Sequence, residues 1–278
     1  MMQVRFDGSI DVITKEKWFV VKVNLDIQVD RFGSPMSLPG DSILVTIAGR
    51  ISPSLPHSHI AFLYLRRMTN EKAVAEKLLQ VNAVKLNPEQ PFTWASGWKS
   101  PIYCDNRRVL SFPFTRDFIK SELCNLVFEK FPDAELLAGV ATAGIAWGAM
   151  AADQLKLPYV YVRPKPKEHG LGNQIEGYYE KGQKTVVIED LISTGKSSLQ
   201  VVEVLKNAGL EIIGMASLFT YGFPVATQAL ESASLPSYSL TNYPTLIELA
   251  LEKKLVPASQ EEVLLKWRDD PANWKGIQ

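Results

Sequence analysis

The stretch Thr185-Val186-Val187-Ile188-Glu189-Asp190-Leu191-Ile192-Ser193-Thr194-Gly195-Lys196-Ser197 constrains this chain more than any other part of it. Its first four residues are all β-branched and read as a buried strand, because such side chains pack well on a pleated surface and lose freedom in a helix. Two carboxylates stand at the strand's end, a short Ser-Thr-Gly turn follows, and residues 197–207 read as a helix that Ala208-Gly209 closes. A strand that passes through so short a turn into a helix is the unit of open α/β folds, where parallel strands are covered by returning helices.

The flanking sequence repeats that alternation. Residues 135–140 read as a strand, 141–144 (Ala-Thr-Ala-Gly) as a small-residue turn and 145–155 as a helix; 158–162 is another strand, and 163–173 a polar loop. Strands are expected at 212–220 and 237–240, with helices at 113–131, 244–253 and 260–267. Thr69 is placed to cap a helix running to Val81, with Glu71 in its first turn and Val74, Leu78 and Leu79 on one apolar face. The fold class is therefore α/β, a Rossmann-like, mainly parallel sheet flanked by helices, whose ligand site lies beyond the carboxyl ends of the strands. Residues 1–67 differ: β-like runs at 18–23, 43–47 and 60–65 lie between Pro, Gly and Ser clusters and carry no recognisable chemistry. We expect them to be an extension upstream of a true start at Met68, with 68–278 as the working domain; a full-length mass for the native protein would overturn this.

Composition narrows the partners. Lys plus Arg and Asp plus Glu number 30 each, so no overall positive field gathers nucleic acid or an anionic membrane, and an anion must be held by a local site. Cys104 and Cys124 lack metal-ligand or CxxC spacing and make no disulfide framework, which suits a reducing cytoplasm. No apolar run is long enough to span a bilayer, and no basic segment followed by an apolar one opens the chain. His57 and His59 have no acidic or Cys neighbours to complete a metal site and are assigned no role.

The strand-turn-helix unit addresses three chemical groups at once. A turn leading into a helix N-terminus aims backbone N–H groups and the helix dipole at one spot, which suits a phosphate dianion. Gly195 permits close approach, and Ser193, Thr194 and Ser197 add hydroxyls, while the adjacent carboxylates of Glu189 and Asp190 suit two ribose hydroxyls or a bound cation. The plain alternative is a solvated strand end followed by an ordinary cap. A nucleotide P-loop also ends Gly-Lys-Ser, as here, but Asp190 occupies the position of its upstream glycine.

A hydrophobic strand, an acidic pair and then Ser-Thr-Gly resembles the phosphoribosyl pyrophosphate (PRPP) signature of the type I phosphoribosyltransferases. The segments 91–107 (Pro-Phe-Thr-Trp-Ala-Ser-Gly-Trp-Lys-Ser-Pro-Ile-Tyr-Cys-Asp-Asn-Arg), 138–146 and 172–177 (Gly-Asn-Gln-Ile-Glu-Gly) are similar to the orotate phosphoribosyltransferases of Gram-positive and related bacteria. The resemblance implies a type I transferase fold with a small hood at about 68–110, transfer of the phosphoribosyl group from PRPP to orotate in pyrimidine synthesis, a magnesium cofactor, and a homodimer with shared active sites. It implies PRPP contacts by Glu189, Asp190, Ile192, Ser193, Thr194, Gly195, Lys196 and Ser197, pyrophosphate contact through Ala141, Thr142, Ala143 and Gly144, and magnesium held through PRPP and by Glu189 or Asp190. On composition alone, the basic loop from Arg163 to Gly170 is a solvated surface loop. The resemblance instead implies a closing loop whose Arg163, Lys165, Lys167 and His169 meet the pyrophosphate. The segment 92–106 reads as one hairpin, and the resemblance puts it over the base, with Lys99 and Ser100 on the orotate side.

Departures from the family pattern are visible. Ala143 replaces a basic residue of the pyrophosphate loop, Pro164 stands at one loop lysine position, and Ala95 replaces a hood lysine. Tyr221-Gly222-Phe223 stand where some relatives place an arginine for the orotate carboxylate, leaving that ligand unassigned. Two rivals follow: a type I transferase for a purine or another base, which would lack the hood and Gly-Asn-Gln-Ile-Glu-Gly segments, and a PRPP-sensing transcription regulator. Residues 1–67 do not form the successive amphipathic helices that the regulator needs. No Asp-x-Lys-x-x-Asp stretch or room for a barrel domain supports fusion to the following decarboxylase.

Overall fold

The computed structural model describes residues 10–15, 18–25, 43–50, 71–94, 96–165 and 174–276. The chain divides into two compact units, Met1–Met68 and Thr69–Gln278. In the first, β1 (Ile10–Lys15), β2 (Trp18–Leu25) and β3 (Ile43–Arg50) form an antiparallel sheet in the order β1-β2-β3. The strand expected at 60–65 lies outside the described residues, and β1 was not foreseen.

The second unit starts with α1 (Glu71–Gln80), whose Val74, Ala75 and Leu78 are buried. Thr69, its expected cap, lies outside the described residues. Two small antiparallel pairs follow. β4 (Val84–Leu86) pairs with β7 (Ile102–Cys104), and β5 (Phe92–Thr93) pairs with β6 (Lys99–Ser100). Gly97, at φ +86°, makes the turn of the second pair, a conformation that a Cβ disfavours. A 3-10 turn over Asn106–Ser111 then leads to α2 (Pro113–Lys130), whose proline occupies a first-turn position where a missing N–H costs nothing.

The main sheet comprises β8 (Leu136–Val140), β9 (Tyr159–Val162), β10 (Ile175–Glu176), β11 (Lys184–Ile192), β12 (Glu211–Thr220) and β13 (Ser237–Asn242), in the order β10-β9-β8-β11-β12-β13. All neighbours are parallel except the β10 edge, as the α/β reading requires. The crossovers are α3 (Ala143–Leu155) between β8 and β9, α4 (Lys196–Asn207) between β11 and β12, and α5 (Pro224–Ser232) between β12 and β13; α6 (Tyr243–Glu252) and α7 (Glu261–Asp269) close the unit. Every residue of β8 is buried, as are Val186, Val187 and Ile188 of β11, because helices cover both faces of a parallel sheet. Each large apolar side chain so buried contributes about 1.5 to 3 kcal/mol.

Topology places the site. From β8 the chain crosses to β9 on one side, and from β11 it crosses to β12 on the other, while β8 and β11 are themselves neighbours. Right-handed crossovers in opposite directions put α3 and α4 on opposite faces, so the turns after β8 and β11 part and leave a crevice at their carboxyl ends.

Three local expectations are corrected. α3 begins at Ala143, so Ala143 and Gly144 are its first turn and not part of the preceding loop. The segment 92–106 is not one hairpin: Pro101 follows β6, and β7 pairs with β4. β11 runs on through the acidic pair to Ile192, paired with Thr220 of β12, so the carboxylates stand within the strand.

Candidate active site

Because Glu189 and Asp190 are consecutive strand residues, their side chains leave opposite faces of the sheet. Glu189 is buried, at 5% exposure, under the start of α4. Its Oε2 accepts from the Ser198 hydroxyl at 2.9 Å and its Oε1 from the Asp190 N–H at 3.0 Å. Burial first, and the charge of Asp190 second, push the Glu189 carboxyl up to about 8. Asp190 is half-buried; burial raises its carboxyl as well, while its hydrogen bond with Glu189 and the charge of Arg107 draw it back. The two carboxylates are therefore unequal: Glu189 is anchored to the helix, and Asp190 is half-buried and feels the charge of Arg107.

This inequality has a pH consequence. A carboxyl raised in the fold contributes stability that is complete below its unfolded pKa and is lost as pH rises through about 8. Glu189→Gln removes that dependence but can accept only one of the two hydrogen bonds. We expect E189Q to be about 1 kcal/mol less stable than the parent under acidic conditions, and that gap to close or reverse under alkaline ones. Urea unfolding of both proteins across that range checks it; parallel pH profiles would refute the assignment.

Gly195 caps α4 at φ +76°, a left-handed conformation that turns Ser193, Thr194 and Gly195 around the helix end. The first N–H groups of α4 have no intrahelical acceptor and point, with the helix dipole, at this turn. Ser193 and Thr194 are half-buried, Lys196 and Ser197 are exposed, and Ile192 is buried in the strand. Thr194 and Lys196 also border a groove of about 450 Å³ between α4 and α5, with Leu199, Gln200 and Val225. On the β8 side, Ala141 and Thr142 are joined by a cis peptide and lead into α3. A Cβ on Gly144 would lie 2.5 Å from the Ile188 carbonyl oxygen, so only glycine lets α3 start so close to β11. The turns after β8 and β11 thus stand side by side, with Asp190 within β11 two residues before the second of them.

The loop after β9 is closed at its base. The Arg163 N–H donates to the Gln174 carbonyl at 2.9 Å, Gln174 Nε2 donates to the Arg163 carbonyl at 2.8 Å, and Arg163 Nη1 lies 3.7 Å from Glu176 Oε1. Lys165 is exposed beside it. Lys167 and His169 lie outside the described residues. In the hood, Lys99 Nζ donates to Thr93 Oγ1 at 2.7 Å and stays exposed. Ser100 is fully buried, and its hydroxyl donates to the Ile102 carbonyl and accepts from the Ile102 N–H, which makes it a turn-forming residue.

Two features escaped sequence reasoning. Asn106, 1% exposed, donates from Nδ2 to the Asp190 carbonyl at 2.8 Å, and its Oδ1 accepts from the Cys104 thiol at 3.3 Å. Burial, with the charge of Asp190 second, keeps that thiol protonated. At the end of β12, Tyr221 and Phe223 are buried and stacked at 5.2 Å, joined by Trp94 and Trp267. Only the place of Asp105-Asn106-Arg107 at the end of the 91–107 segment hinted at the first, and only the aromatic run at the second. Among the described residues no group of three or more His, Cys, Asp or Glu could hold a metal ion, and no helix is long and apolar enough to cross a membrane.

Residues 124–237 match the phosphoribosyl transferase domain model. The chain is 53% identical over 205 residues to an orotate phosphoribosyltransferase of Bacteroides fragilis, covering 74% of this chain and 97% of that protein. It is 54% identical over 207 residues to one of Listeria monocytogenes, covering 74% and 99% respectively. Among solved structures, the orotate phosphoribosyltransferase of Aeropyrum pernix superposes with a TM-score of 0.57 at 31% identity, covering 65% of this chain and 97% of that one.

Proposed function

This chain belongs to the orotate phosphoribosyltransferase family, and on that premise we propose how its crevice joins the phosphoribosyl group of PRPP to orotate, releasing orotidine 5'-monophosphate and pyrophosphate. The observation that carries the reading is the placement of Asp190 within β11, two residues before that strand ends and leads to the glycine-capped start of α4, with β8 as its neighbour. The unpaired N–H groups of α4, with Ser193, Thr194 and Ser197, receive the 5-phosphate. Asp190 faces the ribose, and Glu189 holds α4 and the Asp190 peptide in place through its two hydrogen bonds. Backbone groups of residues 141–144 take the pyrophosphate.

Bond cleavage at the ribose anomeric carbon leaves electron density on the departing pyrophosphate oxygens and an oxocarbenium-like sugar, which the orotate ring nitrogen attacks from the other face, its N–H proton being taken up by the released pyrophosphate. Arg163, Lys165, Lys167 and His169 stabilise that developing charge, and closure of their loop excludes water. The hydrogen bonds between Arg163 and Gln174 give the loop a fixed base from which to close. Magnesium keeps several waters and is held by one or two carboxylates with substrate phosphates. The acidic pair fits that role only together with PRPP, since no larger ligand cluster exists among the described residues, and Asp190 is the better ligand because both oxygens of Glu189 are engaged. Held there, such an ion would supply positive charge to the pyrophosphate. We further propose a homodimer in which each loop serves the neighbouring site, with residues 68–278 carrying the activity.

The test follows orotate absorbance on adding PRPP and magnesium, with adenine, guanine and uracil as alternative bases. Orotate alone is consumed, and Lys167→Ala slows the reaction by about 30- to 1000-fold, the loss of one charge-stabilising group. Turnover of a purine would overturn the substrate. An unchanged specific activity on dilution to monomer would refute the shared site.

A further inference from the structure

We propose that Arg107 receives an oxyanion of a bound substrate at the mouth of the crevice. This rests on the reading of orotate and PRPP as substrates and assigns a residue that neither the motifs nor the site geometry above had placed.

Arg107 is fixed at the end of β11 by its neighbours. Asn106 is buried and bonded to the Asp190 carbonyl at 2.8 Å, so the Asp105-Asn106-Arg107 turn is pinned to the strand that carries the acidic pair. The next side chain emerges from that buried anchor with 58% of its surface exposed. Its Nε donates to Asp105 Oδ1 at 2.6 Å, and its backbone N–H donates to the same oxygen at 3.3 Å. Asp105 therefore holds one edge of the guanidinium. Among the described residues, nothing bonds the opposite edge, where the two terminal nitrogens lie parallel. A planar fork with one edge anchored and the other open matches a carboxylate or a phosphate oxygen pair, which it can engage through two parallel hydrogen bonds.

The surroundings favour a substrate group over a purely local pair. An exposed ion pair such as Arg107 with Asp105 stabilises a fold little, yet this one aims a cation beside Asp190, whose carboxyl feels that charge. The end of β12 offers no cation, because Tyr221 and Phe223 are buried in an aromatic stack. Lys99 is bonded to Thr93. The anion served by Arg107 is either the carboxylate of the base or a phosphate of PRPP, and the two differ in which substrate's binding is lost.

Steady-state kinetics on the full chain separate them. Orotate and PRPP are varied in turn for the parent, R107Q and R107K, with uracil as a base without a carboxylate. We expect R107Q to lose about ten- to hundredfold in kcat/KM, the loss of a charge-assisted hydrogen bond, with thermal unfolding unchanged and partial recovery in R107K. A rise confined to the KM for orotate, with weaker discrimination against uracil, identifies the base carboxylate. A rise confined to the KM for PRPP identifies a phosphate. An active parent whose R107Q variant keeps both KM values and kcat within about twofold, below the loss of even a weak hydrogen bond, overturns the proposal. An inactive parent would instead refute the underlying substrate reading.

Discussion

Replacing Asp190 by Asn is expected to lower kcat/KM for PRPP by about 100- to 1000-fold, or ~3 to 4 kcal/mol, while leaving the fold as stable as before or more so. Asn keeps the size of the side chain and the main-chain carbonyl that Asn106 holds. It removes a charge that raises the neighbouring Glu189, so the buried carboxyl ionises at less cost. Activity and stability should therefore move apart, which separates a substrate-facing group from a structural one. E189Q should lose stability at low pH through its anchoring bonds, whereas D190N should lose turnover at every pH. Kinetics and urea unfolding measured on the same D190N preparation decide the matter. Turnover within about threefold of the parent, far short of one lost electrostatic contact, would remove Asp190 from the site.

Trp267→Ala should be the most destabilising single change in the carboxyl-terminal part, at about 3 to 5 kcal/mol. The ring is fully buried and meets Trp94, Tyr221, Phe223 and Tyr243 at centroid distances of 5.7, 5.6, 5.3 and 5.1 Å. Truncation leaves a cavity that four rigid rings cannot collapse to fill. The indole Nε1 also donates to the Lys99 carbonyl at 3.1 Å, so α7 braces the hood hairpin. Trp267→Phe keeps most of the ring packing and loses that bond, and should cost about 1 kcal/mol plus a smaller cavity term. Denaturant midpoints at constant m-value measure both. If the alanine variant lost less than about 1.5 kcal/mol, the low end for a core truncation, the aromatic cluster would not be the brace described here.

Much of this architecture is local and was legible in residue order. The β-branched run before Glu189, the small-residue turn after Val140 and the alternation of strands and helices specify a mainly parallel sheet, because hydrophobic period and turn chemistry act over a few residues. Motif likeness also identified the family. Helix α5 was not foreseen; it is short and buries only Ala226 and Leu230. β7 was assigned to the wrong partner because Val84–Leu86, which it joins, lies across the intervening β5–β6 hairpin.

The division is clearest at the acidic pair. The sequence by itself determined that two carboxylates precede a glycine-containing turn into a helix, since that needs only their order along the chain. Tertiary structure alone decided that Glu189 is buried and bonded to Ser198 of α4 while Asp190 stays half-buried, because β12 pairs with β11 through Ile192 and so keeps the pair in extended backbone. It alone also brought Asn106 to the Asp190 carbonyl and buried Tyr221 and Phe223 against Trp267, contacts between segments far apart in the chain whose formation depends on how the sheet and its helices pack.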